Sequence, residues 1–302
     1  MVWMKEGLLP ISLSPSHDIM TPLRYPGGKS ALFGFVSSLI GRCGCAGGKY
    51  VEPFAGGAGL ALRLLEAKTV TSVVINDFDD RVFAFWDAAV NHSEGFIKVF
   101  DETEPTIEEW HRQRELLKSS DDPLEVGFAF FFINRTSRSG VANGGVIGGL
   151  AQQGTYKVNA RYNKTVLRNK LLFLQANSDL ISVRHVDGVS LVRDSTKEKN
   201  TFFFIDPPYV QKGRSLYLNA LQKSDHELLA SVLHESRNAN WLLTYDDDPL
   251  IRGLYKSEFC GVYQLDYSVH RRRRAAELMI ASDSVRDAVD RVLEEGSGGK
   301  NH

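Results

Sequence analysis

Two rhythms of apolar and polar positions alternate along this chain. Short, nearly unbroken apolar runs occur at Thr71–Asp77, Thr201–Ile205 and Trp241–Tyr245. Runs of that length with no polar alternation fit strands of a parallel sheet, buried on both faces. Between them, apolar residues recur at helical spacing over Ala31–Ile40, Leu60–Ala67 and Asp80–Leu117. Lys49–Phe54 reads as a further short strand and Glu277–Ala281 as the last one. Leu124–Ile133 is so apolar throughout that periodicity leaves helix and strand both open. Ser30 is placed to cap the first helix, and Ser224-Asp-His-Glu227 reads as a capping box opening a helix to about Asn238. Residues 1–20 lack periodicity and are expected to be a poorly ordered lead-in, and Gly296–His302 a frayed tail. Strands alternating with helices predict an α/β fold on a mostly parallel sheet.

The run Thr201–Ile205 stops at Asp206-Pro207-Pro208-Tyr209. Two prolines remove backbone donors and fix φ, so the ladder must end there in a stiff loop. A carboxylate, the Pro207 carbonyl and an aromatic face are thereby held at the carboxyl end of a strand, where open α/β sheets bind ligands. A planar group with an exocyclic amine can stack on Tyr209 while its N–H groups meet Asp206 and the Pro207 carbonyl.

Upstream, Tyr25-Pro-Gly-Gly-Lys29 makes a tight loop before a helix, with Lys29 placed to meet a carboxylate. The first glycine of a P-loop is missing. Ala55-Gly-Gly-Ala-Gly59 follows a strand and opens a helix, and the next strand ends in Asp77, ~20 residues later, where such units hold ribose hydroxyls. The loop is Gly-Gly-x-Gly rather than Gly-x-Gly-x-x-Gly, which disfavours a pyrophosphate and favours a nucleoside cofactor without phosphates.

Charge changes the picture only locally. The 302 residues carry a formal charge of −1, so no uniform basic coat is available for nucleic acid. Yet Val126–Ser178 contains no acid, while Arg135, Arg138, Lys157, Arg161, Lys164, Arg168 and Lys170 lie in it. With Asn134, Tyr156 and Tyr162 interleaved, such a stretch suits phosphate contacts and base-edge reading. Arg271, Arg272, Arg273 and Arg274 form a second basic run. Three cysteines without zinc spacing point to free thiols in a reducing, cytoplasmic compartment, and no metal site is expected. No apolar run approaches the ~20 residues of a membrane helix.

Taken in order, Pro26-Gly-Gly-Lys29, Glu52-Pro-Phe-Ala-Gly-Gly-Ala-Gly59, Asn76-Asp77 and Asp206-Pro-Pro-Tyr209 resemble the Dam-type DNA adenine-N6 methyltransferases. The resemblance spans about Leu23–Ala281 and extends to Asn134-Arg-Thr136 and Glu277-Leu278. It implies a Rossmann-like class I methyltransferase sheet of seven mostly parallel strands, S-adenosylmethionine as cofactor and double-stranded DNA as partner. It divides the chain into a catalytic domain over 21–90 and 179–285, a mainly helical target-recognition insertion over 91–178, and terminal segments 1–20 and 286–302. A monomer is expected. The resemblance places the cofactor against Tyr25 (where the family's namesake has Trp), Lys29, Phe54, Gly56, Gly57, Asp77 and Asp187, with Asp206 bordering it. Asp206, Pro207, Pro208 and Tyr209 would hold the target base. The glycine-rich part of the recognition segment, 140–154, departs from the family pattern, so no recognised DNA word is assigned. The nearest rivals are cytosine-N4 or RNA methylation on the same fold, a catalytically silent DNA-binding module and a nicotinamide-dependent dehydrogenase. An aspartate at the head of Asp-Pro-Pro-Tyr favours adenine.

Overall fold

The structure is a computed structural model that describes residues 4–11, 13–14, 20–25, 27–140, 144–210, 221–256, 258–268 and 272–298. Its centre is one sheet of eight strands among the described residues, ordered β1-β7-β8-β6-β5-β2-β3-β4. These are β1 (Met4–Leu8), β2 (Lys49–Glu52), β3 (Ser72–Asn76), β4 (Ile181–Arg184), β5 (Thr201–Ile205), β6 (Asn240–Asp246), β7 (Phe259–Ser268) and β8 (Arg272–Ala281). Neighbouring strands from β4 through β3, β2 and β5 to β6 pair in parallel. β8 enters antiparallel between β6 and β7. Strands β2 to β8 make up the seven-stranded sheet expected from the sequence.

The eighth strand is a correction. β1 lies in the segment read as a disordered lead-in and pairs in parallel with β7. Its sequence, Met-Lys-Glu-Gly-Leu, has no strand pattern, and the pairing with β7 supplies its order.

Alternate residues of the central strands face opposite layers. Tyr50, Phe202, Phe204 and Leu242 pack into one core with helices α1 (Phe33–Arg42), α2 (Gly59–Glu66) and α3 (Asp80–Asn91). Val51, Phe203, Ile205 and Leu243 pack into the other, with α8 (Gly188–Ser195), α9 (Lys223–Glu235) and α10 (Pro249–Leu254). Every residue of β5 is buried, as a strand covered on both faces must be.

Asp80–Leu117 breaks into three helices, α3, α4 (Ser93–Glu102) and α5 (Ile107–Ser119), with Asp79 and Thr106 as N-caps. The ambiguous apolar run is helical, α6 (Pro123–Thr136), started by Asp122, which accepts hydrogen bonds from the Leu124 and Glu125 amides. With α7 (Lys164–Ala176), helices α4 to α6 fill the segment between β3 and β4. Phe85 of α3 stacks on Phe131 of α6, and Phe96 of α4 meets both rings edge-on, with centroids 5.7–5.8 Å apart. The helical segment therefore shares its core with the layer over the sheet. The chain closes with α11 (Asp283–Gly298), so the segment read as a frayed tail begins inside a helix. Two expected caps differ as well. A 3-10 turn at Ser30–Leu32 precedes α1 and Ser30 makes no cap bond, while Gln222 takes the cap of α9, with the Asp225 carboxylate accepting from the Gln222 amide at 2.7 Å. Among the described residues no helix is long and apolar enough to cross a membrane.

Candidate active site

The strand order reverses between β2 and β5, and the carboxyl ends of β2, β3, β4 and β5 open on the same rim. One cleft lies there. Tyr25, Lys29, Phe54, Gly56, Gly57, Asp77, Asp187, Asp206, Pro207, Pro208 and Tyr209 all line it. Every cofactor and catalytic position named from the sequence thus meets in one place.

The glycine loop is held from three sides. Gly56 has φ +47°, and a Cβ there would stand 2.4 Å from the Tyr25 ring. Its amide donates to Asp77 Oδ2 at 2.8 Å, and its carbonyl accepts from Trp86 Nε1 at 2.8 Å. Trp86 is fully buried in the core and also pins this loop. Asn76, fully buried, donates to the Pro53 and Val186 carbonyls at 2.8 and 2.9 Å and accepts from the Val186 amide at 3.0 Å. It ties together the loops after β2, β3 and β4. At Gly188 a side chain would collide with Phe54, whose ring lies 2.6 Å from the Cβ position.

Asp77 also accepts from the Asp79 amide at 3.0 Å. Burial pushes its carboxyl up to about 6, against the pull of these two backbone donors. Asp187 caps α8 through Ser190 at 2.8 Å and keeps an exposed face on the cleft. Phe78, 54% exposed beside Asp77, presents an aromatic ring to the same cleft. Its adjacency to Asp77 was the only sequence signal for it.

Asp206 sits at the bottom of the rim with its side chain 21% exposed, so a ligand can reach it. Lys29 Nζ lies 2.6 Å from Asp206 Oδ2, and the Thr244 hydroxyl donates to Oδ1 at 2.7 Å. Lys29 also donates to the Gly27 carbonyl at 3.0 Å and the Tyr209 hydroxyl at 2.8 Å. The Tyr209 hydroxyl in turn donates to Glu277 Oε1 at 2.6 Å. Burial raises the Asp206 carboxyl above its usual range and the Glu277 charge adds to this, while Lys29 and Thr244 oppose it. Glu52 forms part of the floor and accepts from the Tyr50 hydroxyl at 3.0 Å and the Ala61 amide at 3.1 Å. Burial pushes its carboxyl up to about 8. Neither Glu52 nor Glu277 stood out as a site residue in the sequence, because a single acid in an apolar strand does not announce its partners.

The lining carries five carboxyl groups, from Glu52, Asp77, Asp79, Asp187 and Asp206, against the one ammonium of Lys29. With Glu52 held protonated at neutral pH by burial, the other four still outnumber the lysine, and such a lining repels phosphates and suits a cationic ligand that donates hydrogen bonds. S-adenosylmethionine, a sulfonium with ribose hydroxyls and no phosphate, fits it.

The residues expected on DNA divide. Asn134 is buried and its amide is fully engaged, donating to the Arg24 and Gly140 carbonyls and accepting from the Arg24 amide, each at 2.8 Å. Its polar atoms hold two chain segments together instead of facing outward. Arg135 is likewise turned inward: its guanidinium donates to the Arg161 carbonyl at 2.8 Å, and burial draws it down to about 10. Lys164 pairs with Glu104 at 2.6 Å, Arg168 with Asp101 at 3.0 Å, and Lys170 donates to the Thr21 carbonyl at 3.0 Å. The acid-free stretch is therefore less positive than its sequence suggests, since acids from α4 and the loop after it answer two of its bases. Arg138, Lys157 and Arg161 remain exposed, Arg161 lying 6.0 Å from the ring centroid of Tyr156, itself 66% exposed. Arg271 falls outside the described residues. Arg272, Arg273 and Arg274 lie on β8 opposite Ser268, Tyr267 and Asp266, with side chains outside the description.

A family model described as D12 class N6 adenine-specific DNA methyltransferase matches residues 25–272, well over half of the chain. No curated protein gave a match.

Proposed function

The chain belongs to the D12 class of N6 adenine-specific DNA methyltransferases, and we propose that Asp206, Pro207 and Tyr209 hold an adenine turned out of the duplex while its N6 amine is methylated. Enzymes of this family use S-adenosylmethionine as methyl donor. The observation that carries the residue assignments is the shared cleft: Asp206 and Tyr209 face the same space as Asp77 and the glycine loop.

S-adenosylmethionine supplies an electrophilic methyl group on its sulfonium. Asp77 and the Gly56–Gly57 backbone would hold its nucleoside end, Phe78 would cover the base, and Asp206 would face the positive charge. The amine of adenine is a weak nucleophile because its lone pair is delocalised into the ring. Asp206 and the Pro207 carbonyl accept its two N–H bonds and so restore electron density to nitrogen. Position and a dry, preorganised polar pocket account for most of the remaining rate. Asp206, raised by burial, takes up the proton that nitrogen sheds after transfer. Turning the base out costs a few kcal/mol, and stacking on Tyr209, about 1–3 kcal/mol, offsets much of it. Residues 91–178 read the target, with Arg138, Lys157 and Arg161 as the exposed cations that meet phosphates or base edges.

The test is incubation of the protein with unmethylated genomic DNA and S-adenosylmethionine, followed by base-resolution mapping. N6-methyladenine at one short word is expected. Label on cytosine N4, or on single-stranded RNA alone, would overturn the reading.

A further inference from the structure

Glu277 takes no part in the mechanism above, yet it touches the groups that do. It lies on β8, opposite Tyr263 of β7 and Asp246 of β6 in register, with its side chain 1% exposed. Oε1 accepts from the Tyr209 hydroxyl at 2.6 Å and Oε2 from the Tyr263 hydroxyl at 2.5 Å. Lys29 Nζ stands 3.7 Å from Oε2, against 2.6 Å from Asp206 Oδ2. A buried carboxylate is costly even when paired, and an apolar residue on this strand would serve the fold as well or better. Among its partners are the stacking tyrosine and the one ammonium of the cleft.

We propose that Glu277 is a positioning residue for methyl transfer. It anchors the Tyr209 hydroxyl, and so the ring on which adenine rests, and it offers Lys29 a second anionic seat that lets Asp206 Oδ2 turn to the incoming amine. This rests on the roles of Asp206 and Tyr209 given above.

The charged and titratable groups around this centre come from every neighbouring element. Lys29 precedes α1, Asp206 and Tyr209 follow β5, and Tyr263 lies on β7. Tyr245 and Asp246 lie on β6, and Tyr50 and Glu52 on β2. Among the influences on Asp206, the Glu277 charge raises its carboxyl. Glu277→Gln removes that charge and replaces the charge-assisted bond from the Tyr209 hydroxyl with a weaker one to a neutral amide oxygen. The acid limb of the rate profile should then move to lower pH, a displacement that a purely structural role would not produce.

The experiment uses the full chain and a duplex oligonucleotide carrying the mapped word. Single-turnover rates are followed against pH, fluorescence of 2-aminopurine at the target position reports stacking, and calorimetry reports cofactor affinity. For Glu277→Gln we expect cofactor affinity near wild type, a rate lower by roughly 100-fold from misplacement, altered 2-aminopurine emission and an acid limb at lower pH. Combined with Tyr209→Phe, the loss should be no greater than that of the worse single variant, because both remove one coupling. Tyr263→Phe, which keeps the ring and the Glu277 charge but frees Oε2 of its tyrosine donor, should lower the rate and alter 2-aminopurine emission with the acid limb left in place, and it carries the test if Glu277→Gln melts early. A Glu277→Gln protein with wild-type rate, emission and acid limb would overturn the proposal, as would losses that multiply in the double variant. Asp206→Ala run in parallel separates the two failures. If it keeps turnover, the site reading falls; if it is inactive while Glu277→Gln is normal, only the role of Glu277 falls.

Discussion

Asp77→Asn tests the cofactor half of the cleft in quantitative detail. The carboxylate takes the Gly56 amide on Oδ2 at 2.8 Å and the Asp79 amide on Oδ1 at 3.0 Å. An amide replaces one of these oxygens with an N–H donor, so one backbone donor then faces another donor. The charge that would receive the ribose hydroxyls disappears too. Hydrogen bonds to a charged group contribute about 1.5–3 kcal/mol each. Losing the equivalent of one gives a net ~2–3 kcal/mol, or about 30- to 150-fold in Kd.

The pH dependence has a definite sign. The Asp77 carboxyl titrates at about 6 in the free protein, raised by burial. Ribose hydroxyls bind the ionised form, so Kd should be flat above that value and climb as pH falls below it, approaching tenfold per unit. Stability of the free protein runs the other way. A raised carboxyl favours the fold while protonated, and this contribution fades as pH rises through about 6. Asp77→Asn should remove both trends. Calorimetric titration with S-adenosylmethionine and with S-adenosylhomocysteine, between about pH 5 and 8, checks each point. Unchanged affinity in the variant, or a wild-type Kd indifferent to pH across this range, would refute the reasoning.

Two further outcomes bear on the DNA-facing residues. Asn134→Ala strands the Arg24 amide and the Arg24 and Gly140 carbonyls, and should cost about 2–4 kcal/mol of stability while leaving the methylated word unchanged; a normal melting temperature with an altered word would restore it to base reading. Lys157→Gln and Arg161→Gln should each lower the slope of log affinity against log salt by about one, whereas Arg135→Gln, committed to the Arg161 carbonyl, should lower the melting temperature and leave the slope alone. Wild-type slopes in the Lys157 and Arg161 variants would remove both residues from the DNA contact.

Much of the site is legible in the sequence because its signals are local. Thr201–Ile205 is apolar without a break and Pro207-Pro208 forces its end, so Asp206 had to stand at a strand's carboxyl end. Asp77 could be found from its distance to the glycines. What escaped the sequence depends on long-range partners. Glu277 becomes a site residue only when β8 brings it to Tyr209 and Lys29, 68 residues away in the first case. Asn134 looks like a base reader beside Arg135, and only the packing of α6 shows that its amide faces Arg24 and Gly140. Charge counts misled in the same way, since Asp101 and Glu104 lie outside the acid-free stretch and answer Arg168 and Lys164 across helices. β1 could not be foreseen, because Met4–Leu8 is a strand by virtue of β7 alongside it rather than through its own residues.

The most direct test of the whole account is Asp206→Ala assayed twice: for methylation of the mapped word in a single turnover, and for S-adenosylmethionine affinity by calorimetry. Loss of the carboxylate that receives the amine should lower the transfer rate by about 1,000-fold or more while cofactor affinity stays within a few-fold of wild type. Near-normal transfer by the variant, or a rate loss explained wholly by failure to bind the cofactor, would contradict it.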